Sequence, residues 1–212
     1  MAGEIQIANL ALLRINEPLL TSLETASKAA DAFNASYPTE RDALLREFTW
    51  QFAKFRVALN AEVTPPLGFA YAYRVPADFL ALRALATDPA VFAHNPMGAV
   101  DLDFQIEGGM VLTDAATLYM LYTRRVTDVA EFDPLFAKAL SLRLAPLLAR
   151  ALSSDKGDAT VLGKEAEDAV KTARRAGAIE AAPLTLEAGN YSSGTGRLQR
   201  GPVIFPPAQR RA

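Results

Sequence analysis

Residues 44–80 of this chain, LLREFTWQFAKFRVALNAEVTPPLGFAYAYRVPADFL, contain its only tryptophan and seven of its seventeen phenylalanines and tyrosines. A helix-period pattern ends near Phe48, and aromatic residues then recur at alternate positions on both sides of a double proline. Alternating aromatic side chains suit a half-buried pleated surface, so this stretch predicts a helix that leads into a small sheet. We expect four aromatic residues to form the packed joint between helix and sheet: Trp50, Phe52, Tyr71 and Tyr73.

Two helical patterns precede the aromatic stretch, and alternating patterns follow it. Apolar residues fall on one helical face over residues 5–15 and again over 23–48, where Pro38 either kinks one helix or divides two. Alternating apolar residues then predict short antiparallel strands around Gly108-Gly109, which has the composition of a hairpin turn. The predicted strands cover residues 55–59, 69–75, 102–106, 111–112 and 118–122, with a loop over residues 87–100.

Helical patterns return after the strands. Asp133 can accept hydrogen bonds from the first N–H groups of a helix, and Pro134 has no N–H that needs a partner there. We expect Pro146 to kink this helix, at a cost of ~3 kcal/mol unless packing compensates. A last helix is predicted over residues 161–176, ending at Gly177.

These patterns together predict an α+β fold. The predicted architecture is a mainly α-helical bundle with an inserted small antiparallel β domain and an extended C-terminal tail. The bundle is assigned to residues 1–48 and 132–180, the β domain to residues 49–131, and the tail to residues 181–212.

The C-terminal tail differs from the rest of the chain in composition. Residues 189–196 are typical of a flexible linker, and no acidic residue follows Glu187. Fully extended, residues 184–212 could reach ~90 Å, so we expect the apolar triplet within them to bind a partner as an added strand. The alternative is a frayed terminus. The predicted partner-binding residues are Arg197, Arg200, Val203, Ile204 and Phe205.

The overall composition argues against several classes of protein. A net charge of −2 is unlike that of a dedicated nucleic-acid binder, and the absence of cysteine removes disulfides and thiolate nucleophiles. No apolar run is long enough to predict a membrane span. The N-terminus lacks the basic region of a signal peptide, so we expect folding in a cytoplasm. The mean hydropathy of +0.09 indicates either surface that is buried against other subunits or an alanine-rich helical core.

Few residues have the pattern of a catalytic site. His94 is the only histidine, residues 153–156 match Ser-x-x-Lys but suit a turn between helices, and Gly194-Thr195-Gly196 lacks the context of a nucleotide-binding loop. Glycoside hydrolysis needs two carboxyl groups about 5 to 10 Å apart, and four acids near the predicted strands are the available candidates. These acids are Asp78, Asp101, Asp103 and Glu107. They also suit a solvated strand face, so we predict no catalytic, cofactor-binding or metal-ligating residue and no enzymatic activity.

The order of several segments resembles the head-to-tail adaptor proteins of tailed phages, the tail tubular protein A and tail accessory factor family. The most specific similarities are Trp50-Gln51-Phe52-Ala53 and the Tyr-x-Tyr-x-Val-Pro-Ala-Asp pattern of residues 71–78. The resemblance covers about residues 5–180. Its other parts are residues 7–12, 29–49, 68–70, 107–109, 119–122, 132–136 and 142–145. Two departures are the lack of a glycine at Arg14-Ile15-Asn16, after the first helix, and the presence of Pro146.

The resemblance implies a structural protein of the virion. Proteins of this family form a ring, commonly of twelve copies, beneath the portal, where they extend the DNA channel and attach the tail or nozzle. The bundle helices would then make the ring contacts, the tail would bind the portal or a neighbouring subunit, and genomic DNA would pass without sequence-specific binding. The protein would lie in the neck or tail of the virion after assembly in the host cytoplasm. The alternatives are a tail-associated glycan or peptidoglycan hydrolase that uses the four acids, and a DNA-binding subunit that uses the basic tail.

Overall fold

The computed structural model describes residues 2–62, 68–94, 102–152 and 159–181. This part of the chain contains five α-helices, two short 3-10 helices and six strands. The helices are α1 (Ala2–Arg14), α2 (Lys28–Glu47), α3 (Val91–His94), α4 (Pro134–Leu152) and α5 (Ala159–Ala181). The strands are β1 (Lys54–Leu59), β2 (Tyr71–Arg74), β3 (Phe79–Ala86), β4 (Phe104–Glu107), β5 (Met110–Thr113) and β6 (Leu118–Arg124).

The strands form two antiparallel sheets of three strands each within the described residues. One sheet has the order β1-β6-β3 and the other the order β2-β5-β4. Tyr73 and Val111 of the second sheet share one hydrophobic core with Leu85, Leu118 and Met120 of the first. The two sheets therefore pack face to face, and this β core is separate from the larger core among the helices.

The helical core is organised around α4. This helix contacts each of the other three long helices, and most of its apolar residues are buried. The helices and both sheets belong to one compact unit.

The predicted mainly α-helical bundle with one small β domain is wrong. The fold is α+β, but only about half of the described residues are helical, and the strands form two sheets. The prediction missed β3, whose sequence FLALRALA is rich in residues that favour helices. It is a strand because it pairs with β6 between Phe79↔Arg124 and Ala86↔Tyr119. The proposed domain boundaries stay predictions, and the predicted tail beyond Ala181 lies outside the described residues.

Local chemistry correctly predicted the start of α4 and one hairpin. The Asp133 carboxylate accepts hydrogen bonds from the backbone N–H groups of Leu135 (2.8 Å) and Phe136 (3.2 Å), and Pro134 is the first helical residue. Gly108 and Gly109 have φ angles of 55° and 77°, as a two-residue hairpin turn with two left-handed positions requires.

The continuity and the ends of the helices were harder to predict from local sequence. α2 is a single helix through Pro38, and α4 continues through Pro146. The predicted end of α5 at Gly177 is wrong, because α5 runs to Ala181. Gly177 lies inside the helix beside Phe48, where an added Cβ would be 3.6 Å from the aromatic ring.

Asn16 ends α1 in the conformation that usually favours glycine. Its φ angle is 52°, in the left-handed region. The Glu17 N–H donates to the Leu12 carbonyl (3.1 Å) and the Asn16 N–H donates to the Leu13 carbonyl (3.3 Å), which is the hydrogen-bond pattern of a Schellman cap. Asparagine tolerates this region better than most residues do, so α1 ends sharply without a glycine.

The four aromatic residues predicted to form one joint belong to two different cores. Trp50 and Phe52 pack in the helical core, where the ring centroid of each lies 5.0 Å from that of Phe136. Tyr71 and Tyr73 pack in the β core. The predicted single joint is therefore wrong.

Two arginines connect the helical part to the first sheet instead. Arg83 of β3 donates to the carbonyls of Phe48 (2.7 Å) and Arg46 (2.9 Å) at the end of α2, and its Nε donates to the Thr123 hydroxyl (2.7 Å). Arg46 in turn donates to the Leu80 carbonyl in β3. The last carbonyls of a helix have no donor within the helix, so Arg83 satisfies groups that α2 leaves open. Burial lowers the pKa of the Arg83 guanidinium, and the neighbouring Arg46 lowers it further.

We predict that Arg83→Met lowers the free energy of unfolding by about 2–4 kcal/mol, because three acceptors lose their donor at once. Urea unfolding followed by the fluorescence of Trp50 measures this change. The matched control is Arg74→Met on β2, since the Arg74 side chain is 67% exposed and bonds Glu62. That change should alter stability by less than ~0.5 kcal/mol. Equal losses in the two variants would contradict the role given to Arg83.

Candidate subunit-contact surface

α1 carries apolar residues on two sides. Its inner side is buried against the helical core and consists of Ile7, Ala8, Ala11, Leu12 and, just past the helix end, Ile15. Its outer side carries Leu10, 47% exposed, and Leu13, 60% exposed. When a second side of a helix is also apolar, that side is normally covered by another part of the protein or by a partner. Here one side is open.

The segment after α1 carries a third exposed leucine. The Leu20 N–H donates to the Asn9 side-chain oxygen (2.8 Å), and the Asn9 side-chain nitrogen donates to the Leu20 carbonyl (3.0 Å). This pair of bonds holds the segment against α1 at Asn9, one turn before Leu13, and the adjacent Leu19 is 53% exposed. Leu10, Leu13 and Leu19 are named here the α1 outer face.

The position of α1 is fixed by close packing near its start. Gly3 approaches Val129 so closely that a Cβ at residue 3 would lie 2.7 Å from the Val129 Cβ. The rotation of α1, and with it the direction of the α1 outer face, is therefore set by the fold. A surface that is held in place before binding loses less conformational entropy when it binds.

Charged groups lie beside the C-terminal end of α1. Arg14 and Glu165 of α5 form an ion pair at 3.7 Å, with both side chains about half exposed. They line a cleft of about 350 Å³, together with Leu135, Lys138 and Asp168. An exposed ion pair adds little stability, but polar groups around an apolar patch are the usual arrangement of a protein interface.

A second group of exposed apolar residues lies near the connection between α4 and α5. Leu147, near the end of α4, is 38% exposed, and Val161, near the start of α5, is 53% exposed. Both are close in sequence to the connection between the two helices. We name Leu147 and Val161 the α4–α5 end.

An ion-pair network joins three helices close to the α4–α5 end. Arg143 of α4 pairs with Glu40 (3.2 Å) and Glu47 of α2, and Arg174 of α5 pairs with Glu47 (2.6 Å). The network borders a cleft of about 440 Å³ next to Pro146. Two arginines and two glutamates balance in charge, so the network fixes helix positions rather than presenting a charged binding site.

Two of the described candidate acids, Asp103 and Glu107, are not placed as a glycosidase pair. Asp78 accepts a hydrogen bond from the Tyr122 hydroxyl (3.0 Å). Asp103 and Glu107 are exposed at opposite ends of β4, four residues apart along an extended chain, which corresponds to ~13 Å. That separation exceeds the about 5 to 10 Å that the two carboxyl groups of a glycosidase require. Asp101 lies outside the described residues.

The other predicted site residues are placed as follows. His94 is the last residue of α3, in the segment predicted to be a loop. Residues 153–156 and 194–196 lie outside the described part of the chain, as do the predicted partner-binding residues Arg197, Arg200, Val203, Ile204 and Phe205. In the described part, no group of three or more acidic or histidine side chains could hold a metal ion. No helix there has the length and apolar character needed to cross a bilayer.

The α1 outer face was not among the predicted site residues, although the sequence carries a signal for it. Residues 5–15, IQIANLALLRI, contain more apolar residues than one helical face can bury. This excess shows that a second side of α1 is apolar, but the pattern alone does not show which side faces the core.

The chain matches no model of a known protein family, and it matches no curated protein sequence.

Replacing either of two buried tyrosines by phenylalanine should change the stability in opposite directions. Tyr122 donates to Asp78, so Tyr122→Phe should lower the free energy of unfolding by about 1–2 kcal/mol. The Arg41 guanidinium lies over the Tyr37 ring, and the buried Tyr37 hydroxyl makes no hydrogen bond of ordinary geometry in the described part of the chain. Tyr37→Phe should therefore raise stability by about 1 kcal/mol, because an unpaired buried hydroxyl is removed. Urea unfolding at pH 7 measures the stability of both variants. Lower stability in both would contradict the account, because only the Tyr122 hydroxyl should lose a hydrogen bond.

The same tyrosines predict a loss of stability in alkali. Burial raises the pKa of Tyr122 to about 12, with the hydrogen bond to Asp78 adding to the effect. Burial, and then Glu4, raises the pKa of Tyr37 to about 12. A tyrosine with a raised pKa in the folded state stabilises the fold fully below its ordinary pKa of ~10, and this contribution is lost as pH rises toward 12. Stability measured from pH 9 to pH 12 should fall, and should fall less steeply in Tyr122→Phe; identical slopes would contradict the account.

Proposed function

We propose that the chain is a structural virion protein, a head-to-tail adaptor that forms a ring beneath the portal. In this role it extends the DNA channel and attaches the tail or nozzle. The observation that carries the proposal is the α1 outer face, two half-exposed leucines on a helix whose opposite side is buried and a third on the segment bonded to that helix. Monomeric proteins rarely leave such a patch open, and the resemblance of residues 5–180 to phage adaptors supplies the kind of assembly that would cover it.

A ring needs two surfaces on each copy, and the α1 outer face and the α4–α5 end are the candidates for them. In a closed ring each copy uses one surface toward one neighbour and a different surface toward the other. The α1 outer face of one copy therefore packs on the α4–α5 end of the next in this proposal. Covering each half-exposed leucine contributes roughly 1 kcal/mol, and every copy makes the contact twice. Further contacts must supply the rest, because association itself costs several kcal/mol.

The other features of the assembly follow from the same role. The ring has twelve copies, as is common in the family that the sequence resembles, and lies in the neck or tail of the virion after assembly in the host cytoplasm. Genomic DNA passes through its channel without sequence-specific binding, and a net charge of −2 supports this because it gives phosphates no strong attraction. The C-terminal residues from Arg197 to Phe205 bind a partner in the assembly. The protein acts as a scaffold and not as an enzyme.

The test is assembly with the portal protein of the same phage. Wild-type chain mixed with portal should give rings of one symmetry in negative-stain images. The variant Leu10→Glu with Leu13→Glu should reduce ring formation at least ~10-fold, since two charges would be buried in an apolar contact. Circular dichroism and thermal unfolding should show an unchanged fold, because both side chains are already exposed.

The matched control places the same two charges on another exposed helical surface. Ala35→Glu with Thr39→Glu on α2 adds two glutamates at exposed positions and should assemble like the wild type. Wild-type images showing monomers bound to nothing would overturn the proposed function. Normal ring formation by the Leu10/Leu13 variant would overturn the role of the α1 outer face.

A further inference from the structure

β4 is an exposed strand at the edge of its sheet. All four of its residues are exposed, including Phe104 (38%) and Ile106 (43%). Within the described residues β4 pairs with β5 alone, so its other edge faces no strand there. An edge strand of this kind presents backbone N–H and C=O groups on which a further strand can pair.

The register shows which way the two apolar side chains of β4 point. Phe104 lies opposite Thr113, and Ile106 lies opposite Val111. Residues directly opposite in an antiparallel pair share one face of the sheet, and both Thr113 and Val111 are fully buried on the side of the β core. Phe104 and Ile106 therefore extend the inner face of the sheet beyond the region that the first sheet covers. The β core is open at this edge.

We infer that the edge of β4 binds the segment Val203-Ile204-Phe205 of a second copy of the chain as an added strand. The inference rests on the proposed function, because a ring is what places a second copy beside this edge. It goes beyond that function by naming the acceptor strand and the occupant.

The segment fits the edge in length and pattern. Val203 and Phe205 share one face of an extended strand, so they can lie beside Phe104 and Ile106 and cover the open end of the core. Pro202 and Pro206 bracket the triplet, which limits pairing to about the length of β4. Proline is tolerated at the ends of an edge strand, and after docking it would block the addition of yet another strand.

The charges on the two partners are opposite. Asp103 and Glu107 flank the apolar pair on β4, and both are exposed. The tail has arginines on both sides of the triplet, at Arg200 and Arg210, and no acid after Glu187. Opposite charges around a short apolar contact speed association and disfavour other partners.

The connecting segment is long enough to reach a neighbouring copy. Residues 182–202 separate the last described residue from the triplet, and 21 residues span at most ~70 Å when extended. As a flexible coil they would have a typical end-to-end distance of ~25 Å. A tethered strand at this range has an effective concentration near the millimolar level in the assembled ring.

The absence of native cysteine allows a direct disulfide test in the full-length chain. Gln105 and Ile204 would share the outer face of the extended sheet, so Gln105→Cys with Ile204→Cys should place two thiols at cross-strand distance. Oxidation of this variant in complex with portal, at ~10 μM chain, should give covalent dimers and higher multimers of the chain on non-reducing gels, ~100-fold faster than random collision. The control pair joins Ile204→Cys to Ala58→Cys on β1, an exposed position on a different edge strand.

Three results would overturn the inference: equal cross-linking in the two pairs, cross-linking within single chains only, or multimers that form no faster with portal than without it. Val203→Asp with Phe205→Asp, introduced into the Gln105/Ile204 pair, should abolish the multimers. Ring formation by the wild-type chain with portal is scored separately. Rings without specific cross-links leave the adaptor proposal standing and reject the docking of the tail on β4. An absence of rings rejects the adaptor proposal itself.

Discussion

The bonds that Arg83 makes to the end of α2 are the constraint on which the rest of the structure depends. The two hydrophobic cores are separate, one among the helices and one between the sheets, and Leu80 of β3 is the strand residue that packs in the helical core. Arg83 bonds two carbonyls at the end of α2 and the buried hydroxyl of Thr123, while Arg46 reaches back to β3. Because each part donates hydrogen bonds to the other, the helical part and the first sheet are held in one relative position.

The α1 outer face is likewise held in a fixed position by the fold. α1 packs on α4, is held at Gly3 against Val129 and ends at Asn16 in a cap that turns the chain sharply. The Asn9 side chain then fixes the following segment at Leu20. Three leucines are thereby held in the open on rigid backbone, although their side chains would be more stable covered. A surface of this kind is suited to a partner that is always present, such as a neighbouring copy in a ring.

The sequence predicted those features whose chemistry is local. Asp133-Pro134 marks a helix start, and Gly108-Gly109 marks a hairpin, because each places the required atoms within a few residues. β3 was not predictable in this way, since FLALRALA favours a helix until β6 offers it a pairing edge. Likewise, nothing near Arg83 shows that its acceptors lie 35 and 37 residues away on α2. The excess of leucine in α1 was visible, but its outward direction depends on packing against α4, which no short pattern encodes.

The central claim is that the α1 outer face is a contact between copies in a ring. Hydrogen–deuterium exchange of the full-length chain, alone and in complex with portal, tests this claim most directly, with native mass spectrometry to count the copies. The account predicts a single closed copy number and slower exchange in the segment from Leu10 to Leu20 on assembly. A complex of one copy with portal, or unchanged exchange in that segment, would contradict it.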